Sequence, residues 1–539
     1  MKLKNLTAGA LALLPLAAAA QDVTWTVVAA EDSRVPMAAM QSNSNRSISE
    51  IYLSSSSGDR WAFWNSSPDS DRGLWARKNG AFVRYMQYNV TGAVGPNRAE
   101  QNHVFLDRYS NYDDFGADGT RVFLARAGVP GDAATQSNGV WLWTGLFNRE
   151  IARAVDPGVL GPGLGAGWYI DGSSGFRQTR ALGGGAVLVD ATVVAPNTTR
   201  QDVIFKNVPG AGNTACALSE STNPALSPGL VAGDQFTRWS SNTRARTVDA
   251  QGRTYGLFDV SNSREGIFEV CNGAPRALAA DEVTGPLGPG LASPSAVFTS
   301  FYNGALTSGN GMFSFVAIAR VAPGGNTVNG VYRNNGTNNR PLALSGDTGE
   351  FSPNWAGSVF TSFMEDTLDS AGRYVVFGAN INAGGQGIVG VFRAGMSGGP
   401  RPVALIGTLE YGPGPGLTWT GFFERTVLTN GDIVMRARTS ANETALWLFQ
   451  EGKPARRILA PNQTIALPLS TGTVQTAIGS IELPATGGNA AQYAAGRDGW
   501  ASADGTILAR VASSTYGEIW ITAKPSNVND YIYKDGFGG

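Results

Sequence analysis

The sequence predicts an all-β fold, a ring of repeated four-stranded sheets, on three observations. Turn glycines recur along the whole chain, a short strand ending in an aromatic residue follows each of them, and stretches of strong helix formers are scarce. The turns are centred on Gly58, Gly119, Gly185, Gly252, Gly311, Gly372, Gly431 and Gly505, which lie 59 to 74 residues apart. Such regular self-similarity marks a repeat architecture. Several of these glycines follow Asn or Asp, as in "GADGTRVFLA" and "LTNGDIVMRA", a dipeptide suited to hairpin turns that need positive φ.

Each turn leads into an apolar strand, a loop of variable length and then a short strand of fixed type: "GLW", "GVW", "VIF", "GIF", "GVY", "GVF", "ALW" and "EIW". The aromatic anchors in register are Trp75, Trp141, Phe205, Phe268, Tyr332, Phe392, Trp447 and Trp520. A second hairpin follows, glycine-rich in "RKNG", "CNGAP" and "GMSGGP", and opens an apolar fourth strand such as "PRALAAD". An exit loop rich in Pro and Gly ("GPGLGAGW", "GPGPGLTW") leads to the next copy's innermost strand, "FTRW", "FTSF" or "WTGF". Four antiparallel strands cannot bury their faces alone, and radial stacking with closure removes the exposed edges. The fold expected is a single closed β-propeller of eight four-stranded blades, with seven as the alternative because the third and seventh copies are irregular. The last copy holds three strands, and the segment "VTWTVVAAED" near the N-terminus resembles a fourth strand. It is expected to complete the last blade.

This combination of turn, glycine–hydrophobic–aromatic strand and Pro-Gly exit loop resembles secreted bacterial β-propeller-like repeat proteins of unassigned function. The resemblance runs over nearly the whole mature chain, implies the fold and export, and brings no catalytic residues with it. The first twenty residues, "MKLKNLTAGALALLPLAAAA", have the basic start, apolar run and small-residue end of a secretory signal. Their apolar run is shorter than the ~20 residues of a membrane span. Residues 1–20 are therefore read as a signal peptide, 21–525 as the propeller and 526–539 as a C-terminal tail. The tail "DYIYKDGFGG" is similar to short endings on exported proteins of Gram-negative bacteria, apart from its final Gly-Gly. The expected location is secreted or periplasmic.

With 41 basic and 42 acidic residues the charges nearly cancel. No field suited to nucleic acid or to an anionic membrane surface results. The single histidine, His103, cannot build a multi-histidine zinc site and has no cysteine cluster to help it. No "GxSxG" element offers a hydrolase nucleophile. No metal and no cofactor is expected. Cys216 and Cys271 are the only cysteines; in an exported protein they suggest one disulfide between neighbouring copies, the alternative being two separate thiols.

Carboxylate chemistry needs no histidine. A glycosidase uses two acids roughly 5 to 10 Å apart, and Asp107, Asp171, Glu365 and Glu424 fall on or near innermost strands. Candidate binding residues are His103, Trp168, Arg238 and Trp419, on inner strands or beside exit loops. Non-repeated insertions, "RAGVPGDAATQSN", "APNTTRQ" and "ARVAPGGNTVN", extend the second-to-third connections, so the face they share with the exit loops is the expected functional surface. The reading is a binding or scaffold module for a glycan or an envelope or extracellular protein. A carbohydrate-active enzyme using channel carboxylates is the alternative.

Overall fold

The computed structural model describes residues 23–32, 48–53, 61–65, 72–78, 81–99, 102–108, 114–115, 118–172, 175–237, 239, 246–248, 252–302, 307–309, 312–355, 357–364, 369–371, 374–395, 398–428, 430–483 and 505–524. The proposed signal peptide and the tail lie outside them. The architecture is an all-β propeller. Among the described residues, helix is limited to two single 3-10 turns, Ala133–Thr135 and Gly285–Leu287, and no helix is long and apolar enough to cross a membrane.

Eight antiparallel sheets of four or five strands are described, with one two-stranded ribbon. In chain order, the second to fourth strands of sheet I are Trp61–Asn65, Gly73–Lys78 and Ala81–Gln87. Those of sheet II are Arg121–Gly128, Ser137–Trp143 and Asn148–Arg153, and of sheet III Ala186–Val194, Arg200–Val208 and Gly212–Leu218. Sheets IV to VII repeat this order around third strands Arg264–Val270, Thr327–Asn334, Gln386–Ala394 and Thr444–Phe449. In sheet VIII the strand Thr26–Ala30 pairs with Gly517–Ala523, Thr26 facing Thr522 and Ala30 facing Ile519. The N-terminal segment thus supplies the missing fourth strand, as its sequence pattern predicts. The irregular seventh copy is followed by the extra ribbon, Thr464–Leu469 with Gly472–Ala477.

The anchor strands explain their own sequence. All eight aromatic anchors are buried. In "GVY" the glycine and the tyrosine point to the same face, and a Cβ on Gly330 would lie 2.7 Å from the Tyr332 ring and 2.8 Å from Leu344. The ring folds back over the glycine, so the motif is a packing device. Edge-on against these anchors stand first-strand aromatics: Phe105 on Trp141, Phe236 on Phe268, Phe298 on Tyr332, Phe360 on Phe392 and Trp419 on Trp447, at 4.9 to 5.1 Å, a geometry favoured by the ring quadrupoles. In every sheet the fourth strand carries a bulge beside the anchor. The extra residue, such as Tyr85, Ile151, Cys216, Leu278, Leu342 or Ile458, is buried.

Neighbouring sheets are joined in three ways. Apolar clusters span consecutive pairs, and one joins Leu448 and Ile519 of sheets VII and VIII to Ile48 and Trp75 of sheet I. In sheets I to VI a backbone hydrogen bond runs from the second residue after the fourth strand to the next sheet's innermost segment, as in Asn89 to Phe105, Val155 to Ile170, Glu282 to Phe298 and Gly407 to Trp419. Every one of those donors has positive φ, which turns the N–H outward from its own sheet.

The third join is an asparagine at the start of a fourth strand, buried at Asn148 and Asn339 and half-buried at Asn213. Asn148 Nδ2 donates to the carbonyls of Tyr85 and Gly95, Asn213 to Ile151 and Gly161, and Asn339 to Leu278 and Gly288. Each ties the previous sheet's bulge to its exit loop. Sheet IV has Pro275 at the equivalent place, three residues before its bulge, and no side-chain donor there. That junction carries the disulfide instead: Cys216, the bulge residue of sheet III, bonds Cys271 after the third strand of sheet IV, with Cα atoms 4.8 Å apart.

Candidate functional site

Successive turns of an antiparallel sheet alternate ends, so first-to-second turns and third-to-fourth hairpins share one face of the propeller. A cavity of about 390 Å³ opens on that face, where sheets I, II and III meet. Its walls come from Ala76 and Val83 of sheet I, from Asp118–Arg121, Leu142–Gly145 and Arg149 of sheet II, and from Gly185 and Pro209 of sheet III. This is the face opposite the one expected from the insertions. The turn at Gly119 and the hairpin at Gly145 of sheet II border the hollow together with the turn at Gly185 of sheet III.

Its chemistry is that of two guanidiniums and one committed carboxylate. Asp118 accepts hydrogen bonds from the backbone N–H of Thr120 at 2.9 Å and of Gly184 at 2.6 Å. Burial acts to raise its pKa, but the bonds from Thr120 and Gly184 outweigh it and hold the carboxyl below the usual range. Arg121 is buried with its guanidinium 5.2 Å over the ring of Tyr85. At the equivalent position of the other seven second strands stand Trp61, Val187, Thr254, Phe313, Val375, Ile433 and Leu508. Arg121 is thus a charge placed where every other copy is uncharged.

Arg149 shows the converse. Four other fourth strands carry an arginine in its place, Arg276, Arg340, Arg401 and Arg456, and the first three each meet a glutamate: Glu269, Glu350 and Glu451. Arg149 pairs across the sheet with Leu142. Among the described residues its acceptor is the amide oxygen of Asn207 at 3.3 Å, and its Nε is buried without one. Asn207 in turn donates to Asn213, the tether of the II–III junction.

The residues singled out from sequence are dispersed. Asp107 is half exposed and pairs with Arg126 at 3.7 Å. Asp171 is buried and bonds Arg200 at 3.1 Å. Glu424 is gripped by Arg436 through two contacts, 2.6 and 2.9 Å. These three stand on or beside sheets II, III and VII, each turned to its own arginine. Glu365 and Arg238 lie outside the described residues. His103 is nearly buried at the entry to a first strand. Trp168 packs half-buried against the core shared by sheets II and III. Trp419, for which packing between blades is the other reading, is wholly buried, donates its indole N–H to the Tyr411 carbonyl at 2.6 Å, and occupies the recurrent core position of Phe105 and Phe360. No indole face is left for a ligand.

Two further features escaped sequence reading. Arg177 spends its guanidinium on Asp190, Asp202 and the carbonyls of Ala191 and Trp239, a saturated knot between sheets III and IV. The cavity arginines carried a signal, since Arg121 breaks a position that is otherwise uncharged. That position becomes visible only once the register is known. Among the described residues no three His, Cys, Asp or Glu side chains gather as a metal site.

No protein-family model matches the chain, and no curated protein matches it by sequence. Solved structures similar to it include the β-propeller domain of the Trilobed protease from Pyrococcus furiosus, 9% identical over 78% of this chain and 99% of that one, with a TM-score of 0.31. The BP39L lectin from Burkholderia pseudomallei is 11% identical over 77% and 98%, with a TM-score of 0.27. An α-L-arabinanase from Penicillium chrysogenum is 8% identical over 79% and 98%, with a TM-score of 0.22. Likeness this distant has no bearing on activity.

Proposed function

We propose that the protein is an exported binding module, an eight-bladed propeller closed by its N-terminal strand, which holds a glycan on the face bearing the three-sheet cavity. The observation that carries this reading is the cavity itself. Its volume falls in the range of small-ligand sites, and its lining mixes the apolar surfaces of Trp143, Leu142, Val83 and Pro209 with the hydroxyls of Thr120 and Thr144 and two arginines. Sugar rings present the same mixture of C–H faces and polar edges. The cross-linked cysteines suit an oxidising compartment outside the cytoplasm, in keeping with the signal-like N-terminus.

The enzymatic alternative rests on channel carboxylates. Asp107, Asp171 and Glu424 each neutralise an arginine, which leaves the binding reading ahead. The test is a panel of neutral and acidic oligosaccharides screened for binding and for turnover on the same purified protein. Binding without turnover supports the module. Turnover that disappears in Glu424→Gln or Glu365→Gln, with the fold intact, replaces it with the enzyme.

A further inference from the structure

We propose that the cavity between sheets I, II and III selects an acidic saccharide and that Arg149 receives its carboxylate. This rests on the glycan-binding reading and goes further by naming the ligand's charge and the group that meets it. In sheets IV, V and VI the arginine at this register has an internal glutamate. Among the described residues no glutamate meets Arg149 in sheet II: Leu142 stands where sheet IV has Glu269, and the neutral amide of Asn207 takes one Nη2 bond. Among the described residues the one acidic side chain in the lining, Asp118, is held by the backbone N–H groups of Thr120 and Gly184. An external carboxylate in the cavity that Arg149 lines would give its guanidinium a charged partner, with the charge-assisted geometry that arginine offers planar oxyanions.

The walls specify the rest of the ligand. Trp143, Val83 and Pro209 offer apolar surface to a sugar ring, and Gly119, Gly145 and Gly185 leave backbone amides and carbonyls accessible at the rim. Arg121 adds a second positive charge whose place in the other copies is uncharged. The charge therefore belongs to this junction and not to the repeat.

The experiment is calorimetric titration of the full chain with galacturonate and mannuronate trisaccharides, their carboxyl-reduced neutral counterparts and a sulfated trisaccharide. Binding of at least one uronate is expected, at least tenfold tighter than its reduced form. Arg149→Gln should weaken it at least tenfold and weaken binding of the reduced form by a smaller factor. Val83→Trp, which fills the cavity from its exposed wall, should abolish both, and Arg340→Gln, the same register position in sheet V, should change nothing. Equal binding of uronate and reduced forms, or an unaffected Arg149→Gln, overturns the inference while the glycan-binding reading stands. A sulfated ligand bound as tightly as the uronate overturns the carboxylate assignment. No binding by any saccharide overturns both readings.

Discussion

Replacing Asn148 by alanine should loosen the junction between sheets I and II more than any surface contact does. The side chain is fully buried, and its Nδ2 donates at 2.8 Å to Tyr85, the bulge residue of sheet I, and at 2.9 Å to Gly95 in the exit loop. Alanine removes both donors and leaves two buried carbonyls facing a methyl group. At about 1 to 2 kcal/mol for each such loss, the cost is about 2 to 4 kcal/mol. The assay is urea unfolding, in which the midpoint falls at unchanged slope. Asn148→Asp supplies an internal check. It sets a carboxylate against the same two carbonyls, so it should be worse than alanine at pH 7. Because the folded state favours the neutral acid, which keeps one donor, the deficit should shrink as the pH falls toward 4. A loss below 1 kcal/mol for Asn148→Ala would refute the claim that these asparagines hold neighbouring sheets together.

Removing the disulfide with Cys216→Ser and Cys271→Ser, which opens a loop with a sequence separation of 55, should cost about 4 kcal/mol in the chain-entropy account, with amide exchange rising first at the III–IV junction. Val155 sits at φ 66 with its side chain exposed, where the matching residues are Asn89, Glu220, Glu282, Gly346, Gly407 and Asn462; Val155→Asn should therefore stabilise by about 1 kcal/mol, and a lower melting temperature would count against the strain. Burial, with the charges of Glu265 and Glu282 beside it, pushes the Asp281 carboxyl up to about 6. Its folded pKa is above the ordinary value, so its contribution is present in acid and lost as pH rises through about 6. Asp281→Asn should gain stability over the parent at pH 8 and not at pH 4, and an equal effect at both would contradict the shift.

Much of the fold was legible because its signals are local. Hairpin glycines, the glycine two residues before five of the aromatic anchors and the unpaired last copy are all read from short windows; the structure shows positive φ at Gly119, Gly185, Gly252, Gly431 and Gly505, rings packed over Gly139, Gly266, Gly330 and Gly390, and the strand Thr26–Ala30, while Gly58, Gly311 and Gly372 lie outside the described residues. The cysteine pairing was legible for the same reason, since both residues flank hairpins at matched places. A tryptophan beside an exit loop, such as Trp419, reads from sequence either as a ligand platform or as packing between blades; its equivalence to Phe105 and Phe360, which decides for packing, depends on first-strand alignment. The asparagine tethers were invisible because their place is counted from a β-bulge, and a bulge adds one residue without marking which one. The cavity was invisible because three turns separated by dozens of residues build it together. Arg149 looked like its paired counterparts until the register set Leu142 against it.

The most direct test of the cavity as the binding site is hydrogen–deuterium exchange of the full chain with and without a saturating acidic trisaccharide. Slowed exchange should appear at residues 118–121, 142–149 and 184–185 and at the amides flanking Pro209, the segments that line the hollow. Protection confined to the opposite-face insertions, 129–136, 195–200 and 321–326, or no protection with ligand bound, would contradict the account.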